Sequence, residues 1–548
     1  MENSPKTLVC VAWPYANGPL HLGHVAGAYL PADIFARYKR QRGHDVLMVS
    51  GSDAHGTPIM VRAEEQCVEP ELVVRANHER FLDLWRDLRI DFDLFTSTMT
   101  KNHEQVVQDF IRVLADRGYI YEKESQQFFD DHRRRFLPDR YVEGTCPHCA
   151  YPDARGDQCE SCGRTLDPHE LVDPRSRLSG TPPVLRSTKH LFFRLSSVQD
   201  ELAEWLSTKD QWRVHVRNWS EAFVRGGLLD RPITRDLTWG TPVPAEWGLG
   251  EDKRIYVWFE AVMGYLSATI EYCASKGTKW QDWWVPGDEE VESVYFVGKD
   301  NIPFHTVIWP GMLRAHGGLR LPTNVPASQY VILGGRKASK SAGVGRTAAD
   351  YLSWMSADAL RYALASELPE ASDNELDDKQ LVRRINDELA SGWGNLVNRL
   401  LVMSKKYING GHIPELGLPE SSELLHSVDQ VLVEASAALD RVEIRRALRT
   451  LMTGVQSVNA YVSQKEPWIV ARTDAVEAQL ILIEALAATM GLAVGLRPFL
   501  PASSDVILSK FGINPAACGW ARPALVRGIE LPSFNPLFPR VTIPGDDD

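Results

Sequence analysis

The sequence predicts an α/β protein whose parallel sheet is assembled from two separate stretches of chain and is followed by a helical bundle. The apolar run 7–12 precedes a helix-like stretch that ends at Gly43 and a second apolar run, 45–50. A strand, a helix and a strand in this order are typical of a parallel βαβ unit. Strand-like runs resume at 294–297 and 329–335. We therefore expect a split Rossmann-type sheet with a long insertion between its halves.

The last third of the chain has the apolar periodicity of helices. Strand-like patterns fade from about Tyr351. In IRRALRTLMTGVQSV, apolar residues recur at i, i+3, i+4, i+7, i+8 and i+11 from Ile444, which marks one face of an amphipathic helix. The apolar stretch 480–496 contains Glu484 and lacks the flanking anchors of a membrane span, so we expect a core helix of an all-α bundle.

The composition is that of a folded protein without a membrane segment. The chain is 44 % hydrophobic and 24 % charged, and its start lacks the basic and apolar regions of a signal peptide, so we expect a cytoplasmic protein. With 60 basic and 72 acidic side chains, the net charge of −12 excludes indiscriminate coating of nucleic acid. Local basic clusters such as DHRRRFLPDR leave selective binding open.

Four of the eight cysteines form two CxxC pairs inside the expected insertion. They are Cys146, Cys149, Cys159 and Cys162. Two such turns aim four thiolates at one metal ion, and a knuckle this small has little core of its own. We expect one structural Zn²⁺ per chain, with redox or disulfide cysteines as the alternative.

Two short motifs indicate a triphosphate site. In HLGH, His21 and His24 lie on one side of a first helical turn, where imidazoles donate hydrogen bonds to phosphate oxygens, while Gly23 leaves room for a base or ribose. A helix start at the carboxyl edge of a parallel sheet attracts phosphate. In GGRKASKSAG, Lys337 and Lys340 lie in a glycine-flanked loop that can offset charge on a departing pyrophosphate.

Taken in order, these motifs resemble the class I aminoacyl-tRNA synthetases, and in particular the methionyl-tRNA synthetases. HLGH matches the HIGH signature of the class and KASKS its KMSKS signature. The segments AWPYANGPLHLGH, GSDAHGTPI, the CxxC pairs, YVWFEAVMGY, GKDNIPFH, GNLVNR and EPW extend the resemblance over nearly the whole chain. The resemblance implies that ATP, with Mg²⁺, activates L-methionine to methionyl adenylate, and that methionine is then transferred to the 3′ end of initiator and elongator methionine tRNA.

The resemblance divides the chain into five units. They are the first half of a Rossmann catalytic domain (1–118), a connective insertion with the zinc knuckle (119–238), the second half of the catalytic domain (239–330), a lysine-loop region that contacts the tRNA stem (331–385), and an anticodon-binding helical bundle with a C-terminal tail (386–548). Some longer members of the family dimerise through a further module. None follows the bundle here, so we expect a monomer.

The resemblance also assigns roles to residues. His21 and His24 contact the ATP phosphates, Gly23 lies against the adenosine, and Lys337 and Lys340 stabilise the pyrophosphate. The remaining ATP-binding positions are Asp300 at the ribose and Val331 at the adenine. The anticodon-binding positions are Asn395, Arg399 and Trp468, an amide, a guanidinium and an aromatic ring that suit an unpaired base.

A methionine pocket must hold a soft thioether among aromatic edges and place a carboxylate at the ammonium. By resemblance, Asp53 is that carboxylate. The implied pocket comprises Ala12, Trp13, Tyr15, Asp53, Trp258, Ala261, Tyr265, His305 and Trp309. The spacing predicts that Trp258, Ala261 and Tyr265 share one helical face.

Some positions depart from the family pattern, and none of them removes a charged catalytic group. They are Trp13, Val262, Asn301 and Ala338. A synthetase for leucine, isoleucine or valine is the nearest alternative, but the insertion leaves no room for a large editing domain. A cysteinyl enzyme would use its zinc in the amino-acid pocket, whereas these four cysteines close the metal site. A non-catalytic tRNA-binding protein would have no reason to keep His21, His24, Asp53 and Lys340 together.

Overall fold

The computed structural model describes residues 4–156, 159, 161–162, 164, 166–333, 336–337, 346–414, 422–533 and 535–545. Its strands are β1 Lys6–Val11, β2 Asp45–Ser52, β3 Leu94–Ser97, β4 Ile120–Asp130, β5 Arg135–Phe136, β6 Val142–Thr145, β7 Ala154–Arg155, β8 Val172–Ser176, β9 Val184–Phe193, β10 Arg231–Pro232, β11 Thr234–Asp236, β12 Lys253–Ile255, β13 Val291–Phe296, β14 Val331–Leu333, β15 Arg336–Lys337 and β16 Asn374–Leu376.

The α-helices are α1 Leu22–His24, α2 Leu30–Gln41, α3 Thr57–Gln66, α4 Pro70–Leu88, α5 Lys101–Asp116, α6 Gln199–Ser207, α7 Val214–Arg225, α8 Val257–Glu260, α9 Gly264–Lys276, α10 Gln281–Trp284, α11 Trp309–His316, α12 Ala348–Leu352, α13 Ala357–Ser366, α14 Asp378–Arg383, α15 Asn395–Tyr407, α16 Glu423–Asp440, α17 Ile444–Lys465, α18 Pro467–Val470, α19 Ala475–Leu496 and α20 Pro501–Lys510. Stretches with the wider π-helical hydrogen bonding are Val25–Tyr29, Phe304–Ile308 and Arg384–Gly394.

The central sheet is parallel and is assembled from distant parts of the chain, as the sequence predicts. Its strand order is β13-β1-β2-β3. β1 pairs with β2 on one side and with β13, which follows the insertion, on the other. Alternate β1 side chains enter two different cores, Val9 on one face and Cys10 on the other. A sheet covered on both faces requires such a continuous apolar strand.

Two predictions about strands were wrong. The run 329–335 contains β14, but this strand lies outside the central sheet and pairs with β15 and β16. β16 follows Tyr351, where the sequence predicted only helices. A strand of three residues is too short to show an alternating pattern, so tertiary pairing rather than local sequence creates it.

The insertion contains more than the cysteine knuckle. β4 and β9 form a long antiparallel pair, from Ile120 opposite Phe193 to Phe129 opposite Val184. The cysteines lie beside the small sheet β7-β6-β8. Helices α6 and α7 follow the β4–β9 pair, so two helices and a long hairpin accompany the knuckle in the insertion.

The helical bundle is built around α16, α17 and α19. The predicted stripe of α17 is buried, including Ile444, Leu448 and Leu451. α19 is long and apolar enough to cross a membrane, but 89 % of its most apolar window is buried inside the protein. This confirms that the apolar stretch is a core helix of the bundle.

A buried ion pair joins the catalytic sheet to the bundle. Nη2 of Arg361, on α13, donates to Oδ2 of Asp33, on α2, at 2.7 Å, and both side chains are fully buried. Burial opposes ionisation of Asp33, but the charges of Arg37 and Arg361 outweigh it and hold the pKa of Asp33 below its usual value. The guanidinium of Arg361 also donates to the main-chain oxygens of Leu88, Arg89, Pro498 and Phe499. One side chain thus ties together α2, α4, α13 and the end of α19.

We predict that Arg361→Ala lowers the free energy of unfolding by about 3 to 5 kcal/mol, because it leaves Asp33 with Arg37 as its charged partner and takes the guanidinium donor from four main-chain oxygens. Urea denaturation measures this loss. As a control, Arg75→Ala breaks the exposed pair with Glu71 and should cost less than about 1 kcal/mol. Equal small losses in both variants would contradict the role given to the buried pair.

Candidate active site

The HLGH motif lies where β1 ends and a helix begins, as the sequence predicts. His21 has extended backbone angles and precedes α1. Its main-chain N–H donates to Nδ1 of His24 at 3.3 Å, and the two imidazole rings lie 3.8 Å apart, centre to centre. Both imidazoles are therefore presented together at the carboxyl edge of the sheet.

The end of the lysine-rich loop returns to this motif. Thr347 forms an isolated β-bridge with His21, and the Ala348 N–H donates to the oxygen of Leu20 at 3.1 Å. Lys340 lies outside the described residues. The main chain of Lys337 belongs to β15, but its side chain is also outside them. The described chain on either side of the loop thus approaches the two histidines.

Two π-helical stretches, which the sequence analysis missed, lie at this edge of the sheet. Val25–Tyr29 joins α1 to α2 directly after His24, and Phe304–Ile308 carries His305 into α11. Such wide turns are frequent at functional sites because they change the direction of the side chains that follow. Three candidate site residues lie in or beside these stretches: His24 directly before the first, His305 within the second and Trp309 directly after it.

Aromatic side chains surround the predicted methionine pocket. The indole N–H of Trp258 donates to the hydroxyl of Tyr15, and the Trp258 ring meets Phe304 edge to face at 4.7 Å. The Tyr265 hydroxyl lies 2.7 Å from Nε2 of His305. These contacts bring together residues from the β1 loop, α8, α9 and the second π-helical stretch.

The protonation of His305 follows from its surroundings. Burial lowers the pKa of His305 to about 4, so the ring is neutral at pH 7. Nδ1 lies 2.9 Å from the oxygen of Asn301, which accepts its hydrogen. Nε2 then accepts a hydrogen bond from the hydroxyl of Tyr265, which keeps its proton because burial raises its pKa. The Tyr265 proton is thus directed at His305, and among the described residues no group donates a hydrogen bond to the phenol oxygen.

Other predicted pocket residues are placed differently from the sequence expectation. Trp258, Ala261 and Tyr265 do not lie on one α-helix as predicted. A 3₁₀ turn, Ala261–Met263, separates α8, which carries Trp258, from α9, which carries Tyr265. Trp309 is fully buried, and its indole N–H donates to the Tyr295 hydroxyl at 3.3 Å. Trp309 therefore belongs to the core that supports the pocket.

Trp13 fits between two glycines. A Cβ atom at Gly51 would lie 2.2 Å from the Trp13 ring, and one at Gly264 would lie 2.6 Å from it. The Tyr265 ring packs edge to face at 6.4 Å. The carbonyl of the neighbouring Ala12 accepts a hydrogen bond from Tyr29 at 3.0 Å. The glycines leave the space that the indole occupies.

Asp53 is buried at the end of β2, beside the β1 loop. Its main-chain N–H donates to the oxygen of Pro14, and its own oxygen accepts from Ala16, both at 2.9 Å. Burial raises the pKa of Asp53 well above its usual value, and the charge of Glu260 raises it further. A cation placed here would favour the ionised carboxylate.

At the predicted nucleotide side, Asp300 and Val331 lie close in the fold. The hydroxyl of Tyr330, which precedes Val331, donates to Oδ1 of Asp300. Lys299 Nζ lies 2.6 Å from Oδ1 of Asp373. Val331 is buried at the start of β14.

The four predicted cysteine ligands converge. All four sulfur atoms lie within 4.8 Å of one another, with Cys146 and Cys162 at 3.9 Å and Cys149 and Cys159 at 3.5 Å. A tetrahedral zinc site with Zn–S bonds of about 2.3 Å requires sulfur separations of about 3.8 Å. The cluster therefore fits a metal ion with four thiolate ligands.

The predicted anticodon residues form one surface of the bundle. Asn395 and Arg399 lie four residues apart on α15, and Trp468 lies at the start of α18. The Arg399 guanidinium carbon is 5.2 Å from the centre of the Trp468 ring. Asn395 is exposed, and Trp468 is half-buried against the core of the bundle.

Comparison with known proteins places this geometry in a family. A family model described as class I tRNA synthetases (M) matches residues 7–401, and one for the anticodon binding domain of methionyl tRNA ligase matches 413–533. The chain belongs to the methionyl class I tRNA synthetases. A methionine–tRNA ligase of Dehalococcoides mccartyi is 46 % identical over 98 % of this chain and 97 % of that protein. A methionine–tRNA ligase of Thermomicrobium roseum is 47 % identical over 94 % of this chain and 88 % of that protein.

A solved family structure has the same fold. The methionyl-tRNA synthetase of Mycobacterium tuberculosis, in complex with methionyl-adenylate, matches with a TM-score of 0.80 at 27 % identity, over 98 % of this chain and 100 % of that one. The family membership and the α/β fold with its cysteine insertion and helical bundle are thus confirmed.

The sequence analysis missed three buried residues behind Asp53. They are His55, His103 and Glu260. His55 and Glu260 could have been predicted from the sequence, because they lie inside the motifs GSDAHG and YVWFEAVMGY. His103 lies on α5 in no recognisable pattern, and only the fold brings it to Glu260.

We predict that Gly264→Ala lowers the free energy of unfolding by about 1 to 3 kcal/mol, because the added methyl overlaps the Trp13 ring. Urea unfolding measures the loss. Gly27→Ala is the matched control, since a Cβ there meets no atom within 4 Å. It should be neutral or stabilise the protein by up to about 1 kcal/mol. A Gly264→Ala protein as stable as the control would contradict the tight fit of Trp13.

Proposed function

We propose that the protein activates L-methionine with ATP to methionyl adenylate and transfers methionine to the 3′ end of methionine tRNA. The observation that carries the proposal is the position of the HLGH pair, the Asp53 carboxylate and the aromatic pocket at one edge of the parallel sheet. A phosphate-binding helix start beside an amino-acid pocket is the arrangement that adenylate formation requires.

In this proposal Asp53 binds the methionine ammonium and the aromatic residues hold the thioether. The Tyr265 hydroxyl donates its hydrogen bond to His305 and not to the substrate. Tyr265 therefore meets the methionine sulfur with its ring edge, a contact that thioethers favour. Ala12, Trp13, Tyr15, Trp258 and Ala261 complete the pocket, with Trp309 as its support.

ATP binds beside the methionine carboxylate. His21 and His24 donate to its phosphates, Gly23 faces the adenosine, Asp300 accepts from the ribose and Val331 contacts the adenine. Mg²⁺ carried with ATP would neutralise phosphate charge when bound. Lys337 and Lys340 then stabilise the charge that develops as the methionine carboxylate attacks the α-phosphate and pyrophosphate leaves.

In this proposal each unit expected from the sequence has its own role in the reaction. Residues 1–118 and 239–330 carry the adenylate chemistry, 331–385 position the lysine loop and contact the tRNA stem, and 386–548 read the anticodon through Asn395, Arg399 and Trp468. The insertion, 119–238, holds a structural Zn²⁺. A cytoplasmic location suits this function, and the monomer stays a prediction.

We predict that, among the twenty amino acids, methionine alone drives strong ATP–pyrophosphate exchange. Lys340→Ala should lower this rate by about 10² to 10³, the usual loss when one donor to a developing charge is removed. Strong exchange with another amino acid, and none with methionine, would overturn the proposed function.

We predict that the purified protein contains one Zn²⁺ per chain, measured by mass spectrometry of the metal, and that Cys159→Ala loses it. The insertion should then be cleaved faster by protease, because the knuckle depends on the metal for its fold. Cys273→Ala removes a buried cysteine outside the cluster and should keep the zinc. Native protein without zinc would refute this assignment.

We predict that Trp468→Ala reduces kcat/KM for tRNA charging by roughly 5- to 150-fold, the equivalent of losing about 1 to 3 kcal/mol of base stacking. Methionine-dependent exchange should stay near that of the native protein, because the bundle surface is separate from the pocket. Unchanged charging would make Trp468 a packing residue, and an equal loss of exchange would indicate damage to the fold.

A further inference from the structure

Behind Asp53 lies a buried carboxylate that the proposed function does not use. Glu260 is 0 % exposed and ends α8. Its Oε1 atom lies 2.8 Å from Nδ1 of His55, and its Oε2 atom lies 4.0 Å from Nε2 of His103. Burying a carboxylate is costly unless it is paired, and such groups cluster at functional sites.

The bond to His55 connects Glu260 with the turn that carries Asp53. The His55 main-chain N–H points to Oδ1 of Asp53 at 3.5 Å. The residue between them, Ala54, donates to the Thr98 hydroxyl at 3.0 Å and accepts from the indole N–H of Trp239 at 2.7 Å. Glu260 is therefore the third anchor of this turn.

The second carboxylate oxygen of Glu260, Oε2, faces His103. Burial lowers the pKa of His103 to about 4, so this ring is neutral at pH 7 and does not balance the charge of Glu260. His103 Nδ1 lies 2.9 Å from the Ser267 hydroxyl. Burial raises the pKa of Glu260, but His55 and a hydrogen bond from the Thr241 hydroxyl outweigh burial and hold this pKa below its usual value. Glu260 therefore stays ionised and its charge reaches Asp53, whose pKa it raises.

We propose that Glu260 is a positioning residue for recognition of the substrate ammonium. Its bond to His55 fixes the turn that carries Asp53, and its charge adds to the attraction at the ammonium position. The inference rests on the proposed function, because it takes Asp53 as the carboxylate that meets the ammonium.

The electrostatics explain why a second carboxylate helps. In the free protein, burial and the Glu260 charge both raise the pKa of Asp53. Tyr15 and Tyr265 stay neutral because burial raises their pKa values, and His103 stays neutral because burial lowers its pKa. The His55 imidazole, two residues from Asp53, is held by Glu260 at 2.8 Å. A protonated amine beside Asp53 offsets the repulsion between the two carboxylates. Binding of the cation and ionisation of Asp53 are therefore coupled, which favours an ammonium over a neutral group.

The test is Glu260→Gln, assayed by methionine-dependent ATP–pyrophosphate exchange across pH. We expect KM for methionine to rise about tenfold, the equivalent of about 1.4 kcal/mol, with kcat within about twofold. The acid limb of kcat/KM for methionine should move to lower pH, because Asp53 ionises more readily without the neighbouring charge. A purely structural role would lower activity without moving this limb.

Two further variants separate the outcomes. His55→Phe keeps a ring at this position but removes the nitrogen that lies 2.8 Å from Glu260, so it should raise KM for methionine in the same direction, with kcat preserved. If Glu260→Gln does not fold, KM for methionine in this variant tests the proposal, and an unchanged KM would overturn it. The control Asp358→Asn changes a buried carboxylate that accepts from the Ser503 N–H at 2.7 Å, away from the pocket, and should leave KM and the acid limb unchanged.

An acid limb that coincides for the native protein and Glu260→Gln would overturn the inference, as would an equal shift in Asp358→Asn. Failure of the proposed function looks different. In that case the native protein itself shows no methionine-dependent exchange.

Discussion

The ion pair between Asp33 and Arg361 is the contact on which the arrangement of the whole chain depends. Asp33 lies on α2, which continues the helix that begins at His21, while Arg361 follows the lysine-rich loop and also binds carbonyl groups at the end of α19. Removing one partner of a buried ion pair strongly destabilises a protein. The pair therefore holds α2, α13 and the end of α19 in one arrangement. The helix that follows the histidine pair is thereby tied to the chain at the end of α19.

The same edge of the sheet brings together two kinds of chemistry. The carboxyl ends of β1 and β2 place the histidine pair and Asp53 next to each other, and the insertion allows β13 to add the His305 side of the pocket. The chemistry follows from burial: a neutral His305 directs the Tyr265 proton away from the pocket, while a buried Asp53 favours a cationic partner.

Much of this was predictable from the sequence, and the parts that were not have physical reasons. The βαβ start, the cysteine cluster and the amphipathic face at Ile444 depend on local spacing, which a sequence displays directly. β16 and the two π-helical stretches at the site depend on tertiary contacts that override local preference. His103 reaches Glu260 only through the packing of α5 on α9, so no motif marks it. The lysine pair was visible as a motif, although Lys340 lies outside the described residues.

The central claim is that one chain both forms methionyl adenylate and passes methionine to tRNA. Rapid mixing of the protein with ATP and methionine, followed by addition of methionine tRNA in a single turnover, tests it most directly. We expect a burst of one adenylate per chain, and its methionine should appear on the tRNA while AMP is released. An adenylate burst with no transfer to tRNA, or no burst with methionine, would contradict the account.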